Sequence, residues 1–140
     1  MILFCYLLCL SLLPMGTMSE ILLSQSNPEI RKPGESVKIT CKTSGFNLAD
    51  VYMHWVRQAP GGGLEWVGRI DPADGGTIYL SSLQERFKIT TENSIGTVYL
   101  EISHLTLEDT ATYYCARDTV EKGRDLPKIS SCNDSLITQW

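Results

Sequence analysis

The stretch that decides the fold runs from residue 111 to residue 116 and reads Ala111-Thr112-Tyr113-Tyr114-Cys115-Ala116. Alternate positions differ in character, which is the period of a half-buried strand, and the pattern turns Cys115 inward. The same period of two recurs at Val37, Ile39 and Cys41, and again at Val98, Leu100 and Ile102. The alternation therefore predicts several short strands, two of which carry an inward-facing cysteine.

Turn-forming residues separate these strands and leave no room for a long helix. Proline and glycine cluster at Pro33-Gly34, in residues 59–63 (Ala-Pro-Gly-Gly-Gly) and in residues 71–76 (Asp-Pro-Ala-Asp-Gly-Gly). Thr106 to Asp109 could form one helical turn. Short strands divided by such turns predict an all-β chain folded as an antiparallel sandwich or barrel.

Composition and charge narrow the class of protein. The 140 residues are 43% hydrophobic and 20% charged, which is typical of one ordinary globular domain. Lys and Arg number 12 against 16 Asp and Glu, for a net charge of -4. The basic residues are scattered from Arg31 to Lys128 without clustering, so nucleic acid is not expected as a partner.

The first nineteen residues form a segment of a different kind. They carry no charge, and an apolar run from Ile2 to Leu13 is followed by Pro14 and a small, polar stretch that ends at Ser19. This pattern predicts a secretory signal peptide over residues 1–19, with Glu20 as the mature N-terminus. A membrane anchor is the alternative, but the run is shorter than the ~20 apolar residues that span a bilayer. A secreted product with no membrane span of its own is therefore expected.

Export would place the cysteines in an oxidising compartment, where they pair by default. Cys5 and Cys9 would leave with the signal peptide, and the odd number that remains, Cys41, Cys115 and Cys132, leaves one cysteine without a partner in the chain. No C-x-x-C motif occurs, and His54 and His104 lack the spacing of metal ligands. Neither a metal nor a cofactor is expected.

Two longer motifs carry a family resemblance. Residues 55–61 (Trp-Val-Arg-Gln-Ala-Pro-Gly) are followed by residues 63–68 (Gly-Leu-Glu-Trp-Val-Gly), and residues 108–117 read Glu-Asp-Thr-Ala-Thr-Tyr-Tyr-Cys-Ala-Arg. Over residues 20–117 the chain resembles an antibody heavy-chain variable domain, as distinct from a light chain or a T-cell receptor chain. The resemblance implies an immunoglobulin V-type sandwich with Greek-key connections.

The resemblance also implies structural roles for six residues. A Cys41–Cys115 disulfide would join the two sheets, and Trp55 would pack against it. The hydroxyl of Tyr113 would bond to the backbone a few residues upstream. Arg86 would pair with Asp109 beneath the domain.

Two binding surfaces follow from the same resemblance, and they imply pairing with a light-chain variable domain and binding of antigen in adaptive humoral immunity. The light-chain interface would comprise Val56, Gln58, Leu64, Trp66 and Tyr114. The antigen-binding loops would present Asn47, Asp50, Tyr52, Arg69, Asp71, Asp74, Thr77 and Tyr79. Phe46 is expected to anchor its loop in the domain, and His54 to lie at the floor of the domain interface. The protein would be extracellular, or at the cell surface within an immunoglobulin complex.

Catalysis is not expected. Pairs such as Asp50 with His54, or Asp109 with His104, could in principle orient a base, but no nucleophile elbow, phosphate loop or metal signature accompanies them. The chain is therefore predicted not to be an enzyme.

The resemblance ends after Arg117. A rearranged heavy chain continues into a third hypervariable loop and a Trp-Gly-x-Gly-Thr strand, whereas residues 118–140 contain neither. We therefore expect a disordered tail and a final strand that is missing or non-native. Asp118-Thr119-Val120 could be encoded with the recombination heptamer CACAGTG, which would make the chain a germline-like segment translated into flanking DNA.

An alternative treats the tail as genuine. Surrogate light chain components resemble variable domains that lack the last strand and carry their own tails, so the chain could be a non-rearranging V-type interaction subunit. In that case a partner would donate the strand and Cys132 would bridge to it, or residues 135–140 would pair as an edge strand.

Overall fold

The computed structural model describes residues 20–118 and, for the backbone alone, residues 135–139. These residues form ten strands, several of which have the alternating side chains noted above. The strands are β1 (Leu22–Gln25), β2 (Glu29–Arg31), β3 (Val37–Ser44), β4 (Met53–Gln58), β5 (Leu64–Asp71), β6 (Gly76–Tyr79), β7 (Phe87–Glu92), β8 (Thr97–Ile102), β9 (Ala111–Arg117) and β10 (Ser135–Gln139). Single 3₁₀ turns occur at Leu48–Asp50, Asn93–Ile95 and Leu107–Asp109. The predicted signal peptide and Cys132 lie outside the described residues.

The strands form two sheets. One has the order β1-β3-β8-β7, and the other has the order β2-β10-β9-β4-β5-β6. All neighbours are antiparallel except β10 and β2, which run parallel. The all-β sandwich predicted from the sequence is confirmed.

The core lies between the sheets because the period of two sends every second side chain inward. Ile39 and Leu100 come from the first sheet, Trp55 and Tyr113 from the second, and each has at most 1% of its surface exposed. Burial of one such apolar side chain stabilises the fold by about 1.5–3 kcal/mol. The alternation seen in the sequence therefore stabilises the fold by placing apolar side chains in the core.

A disulfide joins the sheets through this core, as predicted. It connects Cys41 on β3 to Cys115 on β9, with the two Cα atoms 6.3 Å apart and a sequence separation of 74. Both cysteines are fully buried. Closing a loop of this length in the unfolded chain contributes about 4–5 kcal/mol on the chain-entropy model.

The tail differs from the expected disorder at residues 135–139, which form β10. Ser135 pairs with Tyr113 and Ile137 with Ala111 on the antiparallel side, and Ile137 also pairs with Glu29 on the parallel side. The physical reason is that β9 and β2 both offer backbone N–H and C=O groups at an edge, and a strand between them satisfies both rows. The final strand is thus present and is made by residues outside the family motif.

Candidate binding surfaces

The five residues predicted to face a light chain occupy one face of the six-stranded sheet. Val56 on β4 pairs with Trp66 on β5 and with Tyr114 on β9, which places the three side by side. Gln58 pairs with Leu64 one step further along. Their chain neighbours Trp55, Val67 and Tyr113 point into the core, so this set points outward. We call these five residues the docking face.

The docking face exposes two large apolar side chains. Leu64, the first residue of β5, is 67% exposed and Trp66 is 37% exposed, while Val56, Gln58 and Tyr114 are half-buried. A bulge between Trp55 and Val56 in the β4–β5 ladder shifts the register here and leaves Val67 buried while Trp66 faces out. The side-chain amide of Gln58 donates to the Gly62 carbonyl at 3.1 Å, which holds the following turn against the face.

A series of hydrogen bonds links Trp66 of the docking face to the residue that follows β9. The indole N–H of Trp66 donates to His54 Nδ1 at 3.1 Å, and His54 Nε2 lies 2.9 Å from Asp118 Oδ2. The backbone N–H of Asp118 donates to the Tyr52 carbonyl at 3.0 Å, which fixes Asp118 beside the loop that precedes β4. His54 was expected at the floor of the domain interface. The structure places it between the docking face and the end of the sandwich where β4 begins and β9 ends.

Most of the predicted loop residues gather at the end of the sandwich where β4 begins and β9 ends, which we call the loop end. Arg69 stacks over the ring of Tyr52 at 4.7 Å from the ring centroid. Asp71 and Asp74 each accept a hydrogen bond from the backbone of their own turn, at 3.1 and 2.7 Å. A shallow pocket of about 260 Å³ is lined by Tyr52, Arg69, Asp71, Asp74, Gly76, Thr77 and Ile78.

Three of the predicted loop residues lie outside that pocket lining. Asn47 caps the 3₁₀ turn of the first loop by accepting from the Ala49 N–H at 3.2 Å, and Asp50 is exposed on the same turn. Tyr79 packs against the core, where its hydroxyl accepts from the Ile89 N–H at 2.8 Å. Phe46 also packs against the core, beneath the guanidinium of Arg117, so it anchors its loop as expected.

The sequence matches a known family of domains. A model of the immunoglobulin V-set domain matches residues 26–127, which is most of the chain. The chain belongs to the immunoglobulin V-set family. V-set domains typically pair with other immunoglobulin domains and are typical of extracellular or cell-surface proteins. Their fold typically carries no enzymatic activity.

The opposite end of this V-set domain is held by a buried ion-pair cluster. Asp109, 1% exposed, accepts from both terminal nitrogens of Arg86 at 2.7 and 3.0 Å and from Arg57 at 3.3 Å. The Thr106 N–H donates to the same carboxylate at 2.9 Å. The hydroxyl of Tyr113 donates to the Asp109 carbonyl at 2.9 Å. The family resemblance implied the Arg86–Asp109 pair and the backbone bond of Tyr113, and the contacts of Arg57 and Thr106 with Asp109 are additional.

Protonation in this cluster follows from its contacts. Burial alone would raise the pKa of the Asp109 carboxyl, but the hydrogen bonds from Arg86 and Thr106 outweigh burial and hold that pKa below its ordinary value. Burial raises the pKa of Tyr113 to about 12, so its hydroxyl keeps the proton that it donates. Asp109 is therefore a buried carboxylate whose charge is balanced by arginine.

Sequence reasoning missed Gln25, which completes the edge of β9. Its amide donates to the Tyr113 carbonyl at 2.8 Å, and its Oε1 accepts from the Cys115 N–H at 2.9 Å. The ladder between β10 and β9 stops at Tyr113, so Gln25 serves a part of β9 that β10 does not reach. No local pattern marks Gln25, because its partners lie about ninety residues away.

Membrane-spanning helices and clusters of metal ligands are two further features that a sequence of this kind could contain. Within 20–118 and 135–139, no helix is long and apolar enough to cross a membrane. The described part of the chain also holds no group of three or more histidine, cysteine, aspartate or glutamate side chains placed to bind a metal ion. The surfaces that stand out are the docking face and the loop end.

Proposed function

We propose that this V-set domain is the variable domain of an immunoglobulin heavy chain, which pairs with a light-chain variable domain and contributes two hypervariable loops to antigen binding. The observation that carries the proposal is the docking face, where the large apolar side chains Leu64 and Trp66 are exposed on one face of the six-stranded sheet. Such a patch is typical of a surface that a partner covers. Trp66 and Leu64 supply its most exposed apolar area.

The position of the loop end supports the second half of the proposal. Tyr52, Arg69, Asp71 and Asp74 come together beside the same edge of the six-stranded sheet that carries the docking face. Aromatic and charged groups of this kind suit a protein-binding surface, because tyrosine supplies rigid contact area and the charged groups supply hydrogen bonds. A partner on the docking face would thus extend the binding surface formed by these loops.

The pairing is tested by co-expressing the full chain with a panel of kappa and lambda light-chain variable domains and measuring heterodimer formation by sedimentation velocity. We expect Leu64→Glu to abolish pairing, because it places a charge at the most exposed apolar side chain of the docking face. Ile95→Glu is the matched control, since Ile95 is a similarly exposed aliphatic residue, at 60%, on the turn between β7 and β8. Equal loss of pairing in both variants would contradict the proposal.

A second candidate is a non-rearranging V-type interaction subunit that resembles a surrogate light chain component. The observation that favours it is β10, because a translated piece of flanking DNA has no reason to pair between β9 and β2. The two candidates differ in their transcripts. Transcripts that leave the germline sequence near codon 118 support the heavy-chain segment, and transcripts that run through to Trp140 support the interaction subunit.

A further inference from the structure

His54 lies between two groups that belong to different parts of the surface. On one side is Trp66, the tryptophan of the docking face, and on the other is Asp118, the residue that follows β9. The His54 side chain is 20% exposed and the Asp118 side chain 28%, so both hydrogen bonds are partly shielded from water. Partial shielding strengthens a hydrogen bond to a carboxylate relative to one in open solvent.

The two contacts together fix the state of the imidazole. The indole of Trp66 has only an N–H to offer, so His54 Nδ1 must be the acceptor. The proton of the neutral ring must then sit on Nε2, where it can be donated to the Asp118 carboxylate. Asp118 therefore selects the tautomer that leaves Nδ1 free to accept from Trp66.

We infer that His54 is a positioning residue through which Asp118 orients Trp66 for the partner domain. The inference rests on the proposed pairing function and deepens it for a chain in which residue 118 is aspartate, as it is here. The side chain at position 118 then influences docking without touching the partner. Asp118 is itself held in place independently, because its backbone N–H donates to the Tyr52 carbonyl. A change of side chain at this position alters the chain of hydrogen bonds rather than the path of the backbone.

Two kinds of variant separate this role from a general structural one. His54→Phe keeps a ring of similar size and removes both nitrogens. Asp118→Ala removes the acceptor, whereas Asp118→Asn keeps an oxygen that can accept from Nε2. Glu108→Ala is the matched control, since it removes an exposed carboxylate at the opposite end of the domain.

The first measurement is the indole N–H resonance of Trp66 in the full chain labelled with ¹⁵N-tryptophan, assigned with Trp66→Phe. We expect the resonance to move upfield in His54→Phe and in Asp118→Ala, because the indole loses or weakens its acceptor. It should stay in place in Asp118→Asn and Glu108→Ala. A Trp66 resonance that does not move in Asp118→Ala would overturn the inference.

The second measurement is the dissociation constant for a light-chain variable domain that binds the wild-type chain. We expect His54→Phe and Asp118→Ala each to weaken binding roughly three- to tenfold, the factor that one hydrogen bond is typically worth. The double variant should be no weaker than His54→Phe alone, because Asp118 acts through His54. Effects that multiply would show that Asp118 contacts the partner directly, and would overturn the inference.

The two readouts keep the inference distinct from the proposed function. If no light-chain domain in the panel binds, the pairing function and its consequence for docking both fail, and the resonance still reports whether Asp118 positions Trp66. If a light-chain domain binds and Leu64→Glu abolishes binding while His54→Phe does not weaken it, the pairing function holds and the inference is overturned.

Discussion

At the scale of single residues, Asp109 is the buried charge on which stability depends most directly. Its carboxylate is shielded from water and accepts hydrogen bonds from two arginines. Asp109→Ala should lower the free energy of unfolding by about 3–5 kcal/mol, since it leaves Arg86 without its anion and leaves Arg57 with Glu65 as its remaining carboxylate partner. Urea denaturation at neutral pH measures this, with Glu108→Ala as the matched exposed acidic control. A loss below that of the control would contradict the role of the cluster.

The same residue makes a prediction about pH. The pKa of folded Asp109 lies below its ordinary value, so the unfolded chain takes up the proton first as the pH falls. The stability from Asp109 is therefore complete above the unfolded pKa of about 3.9 and is lost as the pH falls through the lower folded value. Thermal midpoints between pH 6 and pH 2 should fall less steeply in Asp109→Asn than in the wild-type chain. Parallel curves would refute the prediction.

Gln25 shows why some residues escape sequence reasoning. Alternation predicted correctly that Cys41 and Cys115 face inward, because that pattern is local. The bonds from Gln25 to β9 depend on how β1 lies against a strand far along the chain. Gln25→Ala should lower the free energy of unfolding by about 1–3 kcal/mol, because a partly buried N–H and C=O lose their partners. Gln84→Ala, at an exposed position, is the control in the same urea experiment, and equal costs would be evidence against this role for Gln25.

At the scale of elements, β10 is the strand that the sequence left open. The tail lacks the family's final motif, and strand propensity depends on the neighbours that a segment meets, so its pairing could be named only as an alternative. Ile137→Pro should disrupt the strand, since proline removes a backbone N–H from the ladder. Hydrogen exchange in residues 111–113 should then accelerate, while β6 at the other edge of the sheet stays protected. Unchanged exchange in residues 111–113 would mean that β10 does not pair in solution.

Some parts of the candidate site could be predicted from the sequence and others could not. The docking face could be predicted because its residues lie within the two motifs that carry the family resemblance, in residues 55–68 and 108–117. The chain from Trp66 through His54 to Asp118 could not, because it joins β5, β4 and the residue after β9 only once those strands are aligned. Tyr79 was grouped with the loops by its position in sequence, yet its hydroxyl is committed to Ile89 in the core.

At the scale of the whole molecule, one covalent bond holds together two sheets whose packing leaves little stability to spare. A domain of this size is stable by about 5–15 kcal/mol, and the Cys41–Cys115 disulfide contributes about 4–5 kcal/mol of that. Replacing both cysteines with alanine should therefore lower the thermal midpoint by more than 10 °C or unfold the chain, because each kcal/mol shifts the midpoint of such a domain by roughly 4–8 °C. Cys132→Ser leaves this bond in place and is the matched control. If the double variant melted with the control, the sandwich would owe its stability to packing alone, and the disulfide would be dispensable to the fold.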